Sequence, residues 1–144
     1  TDFSAPENIN VLIENHGNYS SDAAWVADIM KQVNKDNCGT LPDFGNFCTS
    51  KKWGSTQNND CEVAYDRYKG VSEMMPFAKG VSAKSYAFDA NGEETLIDYT
   101  KMLKIVKAAG FTGHIGVEYE GSSDEAQGIQ QTKNLLIKAG EAIG

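Results

Sequence analysis

The sequence predicts an α/β fold of four βα units around a parallel sheet, and three observations carry that prediction. Short apolar runs near 9–14, 38–41, 80–86 and 114–119 alternate with stretches of helical apolar spacing. The links between them are short, as right-handed crossovers between parallel strands require. Each run ends on its C-terminal side in polar or charged residues, and that edge of a parallel sheet is where ligands bind.

The first strand, Ile9–Glu14, carries Val11, Leu12 and Ile13 straight into Glu14, Asn15 and His16 before Gly17 turns the chain. Alternation sends Leu12, Glu14 and His16 to one face and Val11 and Ile13 to the other. Ser20 or Ser21 caps a helix over Asp22–Asn34, striped by Trp25, Val26, Ile29, Met30 and Val33. Asp36-Asn37 turns into a short second strand, Cys38–Leu41, which ends in Pro42-Asp43-Phe44-Gly45-Asn46-Phe47. After the polar loop Thr49–Asp60, Cys61–Tyr68 and Val71–Ala78 read as two short helical pieces separated by Gly70. Pro76 limits the second to about two turns. Gly80–Tyr86 is the third strand, followed by the turn Asp89-Ala90-Asn91-Gly92. Thr95 with Asp98 forms an acidic capping box for a helix through Ala109, buried along Leu96, Tyr99, Leu103 and Val106. Gly110 takes the left-handed position after it. His114–Tyr119 is the fourth strand. Ser122 with Glu125 then caps a helix to about Ala139, striped by Ile129, Leu136 and Ala139 with Leu135 beside the stripe.

With 144 residues, 40% hydrophobic and 23% charged, the chain suits one soluble domain over 1–144. A net charge of −7 speaks against nucleic acid, which needs a basic face. No apolar run reaches membrane-spanning length, and no signal peptide is visible. The chain begins without methionine, which points to a cleaved leader or a missing front half; a cytoplasmic or exported location turns on that segment. Cys48 and Cys61 bracket the loop containing Lys51, Lys52, Trp53 and Gly54. They close it as a disulfide in an oxidising compartment, or stand with Cys38 as three reduced, partly buried thiols, the commoner state. No Cys/His spacing suggests zinc.

Glu14, Asp43 and Glu118 each sit at the C-terminal end of a different strand. Any one alone reads as a solvated strand-end carboxylate. Three converging on one rim repel each other, and a divalent cation is the usual remedy, Mg²⁺ or Mn²⁺ for oxygen ligands. Gly116 leaves room for a ligand beside Glu118. His16 shares the face of Glu14, as a ligand contact or a surface histidine. Lys84 shares one face of the third strand with Ser82 and Tyr86. An ammonium inside an apolar strand demands a partner, so Lys84 forms a structural ion pair or orients a substrate oxygen. Asn46 supports the rim, Glu120 is a spare carboxylate or rim residue, and His114, at the far end of its strand, is structural.

In four stretches the chain resembles the C-terminal half of a sugar phosphate isomerase/epimerase of the xylose isomerase-like TIM-barrel superfamily. They are Ile13-Glu14-Asn15-His16-Gly17-Asn18, Gly39-Thr40-Leu41-Pro42-Asp43-Phe44-Gly45-Asn46-Phe47, Val81-Ser82-Ala83-Lys84-Ser85 and Gly113–Gly121 with its Gly-Val-Glu-Tyr-Glu-Gly core. The resemblance covers nearly all of the chain. It implies the second half of a (β/α)8 barrel and a fragment of a longer polypeptide, completed by an N-terminal half or by a second copy. It also implies a divalent metal on a glutamate, an aspartate, a histidine and a second glutamate, which fall on Glu14, Asp43, the Ser82 position and Glu118. Serine departs from that pattern and leaves three protein ligands and a water, with His16 or Lys84 nearby. The implied activity is isomerisation or epimerisation of a sugar or sugar phosphate. Glu14 and Glu118 exchange a proton beside a carbonyl through an ene-diolate, and His16, Asn46 and Lys84 bind the substrate. Two alternatives stand beside it: a non-catalytic carbohydrate-binding barrel that has lost its metal, and a lyase or hydrolase acting on oxidised glycosides. No Gly-rich phosphate cradle is visible.

Overall fold

A computed structural model describes residues 1–50 and 61–144. Strands β1 (Val11–Glu14), β2 (Cys38–Leu41), β3 (Val81–Ser85) and β4 (Ile115–Tyr119) alternate with helices α1 (Ala23–Val33), α2 (Arg67–Met74), α3 (Tyr99–Ala108) and α4 (Glu125–Ala142). Both strand pairs are parallel. β1 lies on β2 with Glu14 opposite Leu41, and β3 lies on β4 with Lys84 opposite Glu118. Bridges at Thr40–Ala78 and Asp43–Ser82 join the two pairs. The strands therefore follow in sequence order with a helix after each, which is half of a (β/α)8 barrel rather than a doubly wound sheet.

The core fills the layer between strands and helices. Val81 and Ala83 of β3 meet Val71 and Met74 of α2, Met102 and Val106 of α3, and Leu135 and Ala139 of α4, with Phe44 and Phe47 closing one end. α2 runs unbroken through Gly70, whereas the sequence suggested two pieces divided there. A Cβ at Gly70 would lie 2.2 Å from Phe47 Cε1, so the glycine is kept for the ring, not for a break. Residues 61–66 are not helical, and Pro76 is accommodated in a 3-10 turn, Met75–Phe77.

Each helix opens on an aspartate. Asp22, Asp66, Asp98 and Asp124 accept hydrogen bonds from the backbone N–H of Trp25, Lys69, Lys101 and Gln127. The caps predicted at Ser20 or Ser21, Thr95 and Ser122 are thereby corrected. Hydroxyls were committed elsewhere: Ser21 Oγ donates to the Asn46 carbonyl (2.6 Å) and Thr95 Oγ1 to the Ala87 carbonyl (3.4 Å). Several predicted stripes shift by one position. Trp25, Val33, Leu96 and Ile129 are exposed, while Ala27, Met102, Gly128 and Thr132 are buried. Gly110 does adopt the expected left-handed conformation, φ 72°.

Cys48 and Cys61 form a disulfide with Cα atoms 5.7 Å apart, and Cys38 is free. The expectation of three reduced thiols is overturned for that pair. The loop residues Lys51, Lys52, Trp53 and Gly54 lie outside the described residues. Among the described residues no helix is long and apolar enough to cross a membrane.

The loop after β3 is organised by Glu94, which is buried. Oε1 accepts from the backbone N–H of Tyr86 (3.2 Å) and Ala87 (3.3 Å), and Oε2 from those of Leu96 (2.6 Å) and Ile97. Glu94→Ala leaves these donors without their acceptor and is expected to destabilise the fold by roughly 2–4 kcal/mol, read as a lower urea midpoint at unchanged m-value.

Candidate active site

β1 delivers Glu14 to the rim and immediately turns Asn15 inward, where it is fully buried. Asn15 clamps the segment after β2. Its Oδ1 accepts from the Asp43 backbone N–H (2.7 Å), and its Nδ2 donates to the carbonyls of Asp43 (3.0 Å) and Asn46 (3.1 Å). Asp43, buried itself, has Oδ1 held by the backbone N–H groups of Gly45 (2.8 Å) and Asn46 (2.9 Å). Its Oδ2 is buried and takes no hydrogen bond among the described residues.

Glu118 arrives from β4 with both carboxylate oxygens engaged. Ser82 Oγ donates to Oε2 (2.7 Å) and Lys84 Nζ to Oε1 (2.8 Å). Lys84, 1% exposed, also donates to Glu120 Oε2 (2.8 Å). The pairing that its burial demands is thus met by two carboxylates, and Glu120 is more than rim. Ser82 stands as a donor to Glu118. A Cβ on Gly116 would meet only the Val81 carbonyl, at 3.7 Å, so the expected space beside Glu118 is there.

Glu14, Asp43 and Glu118 converge, each offering a carboxylate oxygen within 4.8 Å of the others. Their environments differ. Burial and the repulsion of Glu118 raise the Glu14 carboxyl above the usual range, against the pull of His16 and Lys84. Burial pushes Asp43 up to about 7 despite Lys84. Burial works against the charge of Glu118 as well, but the hydrogen bonds from Lys84 and Ser82 outweigh it and hold that carboxyl low. Burial likewise opposes the charge of Lys84, yet attraction to Asp43 and the bonds to Glu118 and Glu120 keep it protonated.

This donor set fits a divalent cation. It is all oxygen, its charges repel, and one buried carboxylate oxygen lacks a hydrogen-bond partner. Glu14, Asp43 and Glu118 would hold the ion; Ser82 would leave the fourth position to water or substrate. His16 stays at the exposed rim, its backbone N–H on Ser20 Oγ (2.8 Å). Asn46 is buried, and its side-chain Nδ2 has no hydrogen-bond partner among the described residues. Sequence reasoning missed Asn15 and the pairing of Glu120. The signal for Asn15 was present, since it is an amide on the opposite strand face from Glu14, where a polar side chain must find backbone partners.

Comparison with known proteins is consistent with this geometry. Residues 1–139 match a family model described as xylose isomerase-like TIM barrel. The chain is 37% identical over 57 residues to the 3'-dehydrocarminate deglycosidase alpha subunit of Microbacterium sp, covering 40% of this chain and 16% of that protein. A crystal structure of a xylose isomerase-like TIM barrel protein from Mycobacterium smegmatis in complex with magnesium superposes with a TM-score of 0.69 at 17% identity. That likeness covers 99% of this chain and 48% of the Mycobacterium protein, so the chain spans about half its length.

Proposed function

The chain belongs to the xylose isomerase-like TIM-barrel family, and from that premise we propose that it is the C-terminal half of a metal-dependent enzyme that moves a proton next to a sugar carbonyl. The observation that carries this reading is the convergence of Glu14, Asp43 and Glu118 within 4.8 Å at the C-terminal rim of parallel strands. An N-terminal half closing the barrel against β1 and β4 would cover the apolar residues now exposed there, among them Val11, Val117 and Ile137.

A bound Mg²⁺ or Mn²⁺ would polarise the carbonyl and offset the negative charge that develops as the neighbouring C–H bond breaks. Glu118, held ionised by Lys84 and Ser82, removes the proton. Glu14, raised toward its protonated form, returns one to the carbon or oxygen on the other side. Asp43 would hold the cation, His16 and Asn46 orient substrate hydroxyls, and Lys84, buried against Glu118 and Glu120, acts on the substrate through Glu118. The product is the isomer or epimer of a sugar or sugar phosphate.

A second reading has support of its own. The Microbacterium relative is a deglycosidase named for a 3'-dehydro glycoside, and β-elimination from an oxidised glycoside begins with the same proton removal. The two readings share the first step and differ in what leaves. In the complete barrel with Mn²⁺, sugar substrates in D₂O are expected to exchange the proton beside the carbonyl. Chelation should lower that exchange by at least about 10²-fold, as loss of Lewis-acid assistance implies. Exchange that is indifferent to chelation sinks the metal reading. Aglycone release with exchange favours elimination over isomerisation.

A further inference from the structure

The ladder that joins the first two strands stops short of the second carboxylate. β1 pairs with β2 only as far as Glu14 opposite Leu41. Asp43 lies two residues further on, past Pro42, which has no N–H to offer a neighbouring strand. A side chain carries the connection from there. Asn15 follows Glu14 directly in the chain and is fully buried. Its carboxamide takes both main-chain groups of Asp43: Oδ1 accepts from the N–H (2.7 Å) and Nδ2 donates to the carbonyl (3.0 Å). Nδ2 donates again to the Asn46 carbonyl (3.1 Å). An N–H can only donate and a carbonyl only accept, so one orientation of the amide satisfies all three. The residue next to one carboxylate thus grips the backbone of another.

On its other side Asp43 is bridged to Ser82. The Ser82 N–H donates to the Pro42 carbonyl (2.9 Å) and the Phe44 N–H to the Ser82 carbonyl (3.1 Å). Ser82 Oγ in turn donates to Glu118 (2.7 Å). Glu14, Asp43 and Glu118 are tied in one continuous run of covalent and hydrogen bonds, and Asn15 is the link between the first pair. Carboxylates that repel each other need such a link to stay together before a cation arrives, and ligands held in place bind it more tightly.

We propose that Asn15 is a positioning residue for the cation, keeping Asp43 where one ion reaches both its carboxylate and that of Glu14. It acts through the Asp43 backbone and not as a ligand. The inference rests on the metal-dependent reading above. Ser21 supplies the comparison: its Oγ donates to the same Asn46 carbonyl (2.6 Å) and accepts from the Gly17 N–H (2.8 Å), leaving Asp43 aside. The test measures two quantities in the complete barrel, Mn²⁺ affinity by isothermal titration and the urea midpoint without cation. The parent is compared with Asn15→Ala, Asn15→Ser and Ser21→Ala. All three variants should lower the midpoint, since each removes buried hydrogen bonds. Asn15→Ala is expected to weaken Mn²⁺ binding by at least about tenfold, the scale for losing a group that orients a metal ligand. Ser21→Ala should leave the affinity unchanged. Asn15→Ser is too short to span both Asp43 groups; it should lose affinity with Asn15→Ala and replaces it if the alanine variant does not fold. Unchanged Mn²⁺ affinity in the Asn15 variants, or an equal loss in Ser21→Ala, makes Asn15 a structural residue only and overturns the inference with the metal reading intact. A parent that binds no Mn²⁺ overturns both.

Discussion

Glu118→Gln in the complete, Mn²⁺-saturated barrel is expected to cut proton exchange at the reacting carbon by at least about a thousandfold, the scale of a lost general base. Glutamine keeps the shape of glutamate, but Lys84 and Ser82 donate to different oxygens of Glu118, at 2.8 and 2.7 Å. The amide oxygen can accept from Lys84, and the amide nitrogen must donate to Ser82 Oγ instead. Glutamine cannot take a proton, and its neutral oxygen is a poorer ligand. Those two losses are separable. If Glu118 served only to hold the cation, raising Mn²⁺ would restore the rate; if it is the base, the rate stays low at saturation. Glu118→Asp supplies the control, a carboxylate withdrawn by one methylene that should recover part of the activity at most. Full exchange by the glutamine variant would remove Glu118 from the chemistry and leave it as the anchor of Lys84. The prediction turns on Glu118 being ionised, and the two donors that hold it so come from β3, one strand away.

The strands and the rim were legible in the sequence for a simple reason. A strand buried between layers must be continuously apolar and must change character where it reaches solvent. Glu14, Asp43 and Glu118 could therefore be placed on one edge before their separation was known. The helix ends were less legible. Serine and threonine are good caps in isolation, but here their hydroxyls make long-range bonds, Ser21 to Asn46 and Thr95 to Ala87, and aspartate does the capping. The apolar stripes misled where small residues pack closest. A Cβ on Gly128 would lie 2.3 Å from the Tyr119 ring, so α4 presses its glycine face onto the sheet and turns Ile129 outward. The web of Lys84, Glu118 and Glu120 was half legible. A buried lysine announces that partners exist, but only the register of β3 on β4 names them.

Asp43→Asn is expected to weaken Mn²⁺ binding by at least about 100-fold while stabilising the cation-free protein at pH 8 by on the order of 2 kcal/mol. The opposite signs follow from one fact: the Asp43 carboxyl is buried, its Oδ2 has no hydrogen-bond partner among the described residues, and its pKa is pushed up to about 7 from 3.8. Because the folded-state pKa is raised, the folded protein holds a proton that the unfolded chain releases. The stabilisation from that proton is complete below about pH 4 and is lost as pH rises through about 7. Cation-free protein should therefore lose thermal stability between pH 5 and pH 8, and Asp43→Asn should flatten that part of the profile. Asparagine still accepts from Gly45 and Asn46 through Oδ1, which now accepts from both, and its Nδ2 turns a repulsive contact with Glu118 into a donor. Adding Mn²⁺ should raise the melting temperature of the parent at pH 8 and leave the variant unmoved. If the variant is instead less stable than its parent across pH 5–8, the Asp43 carboxylate is paired in the cation-free fold and does not await an ion.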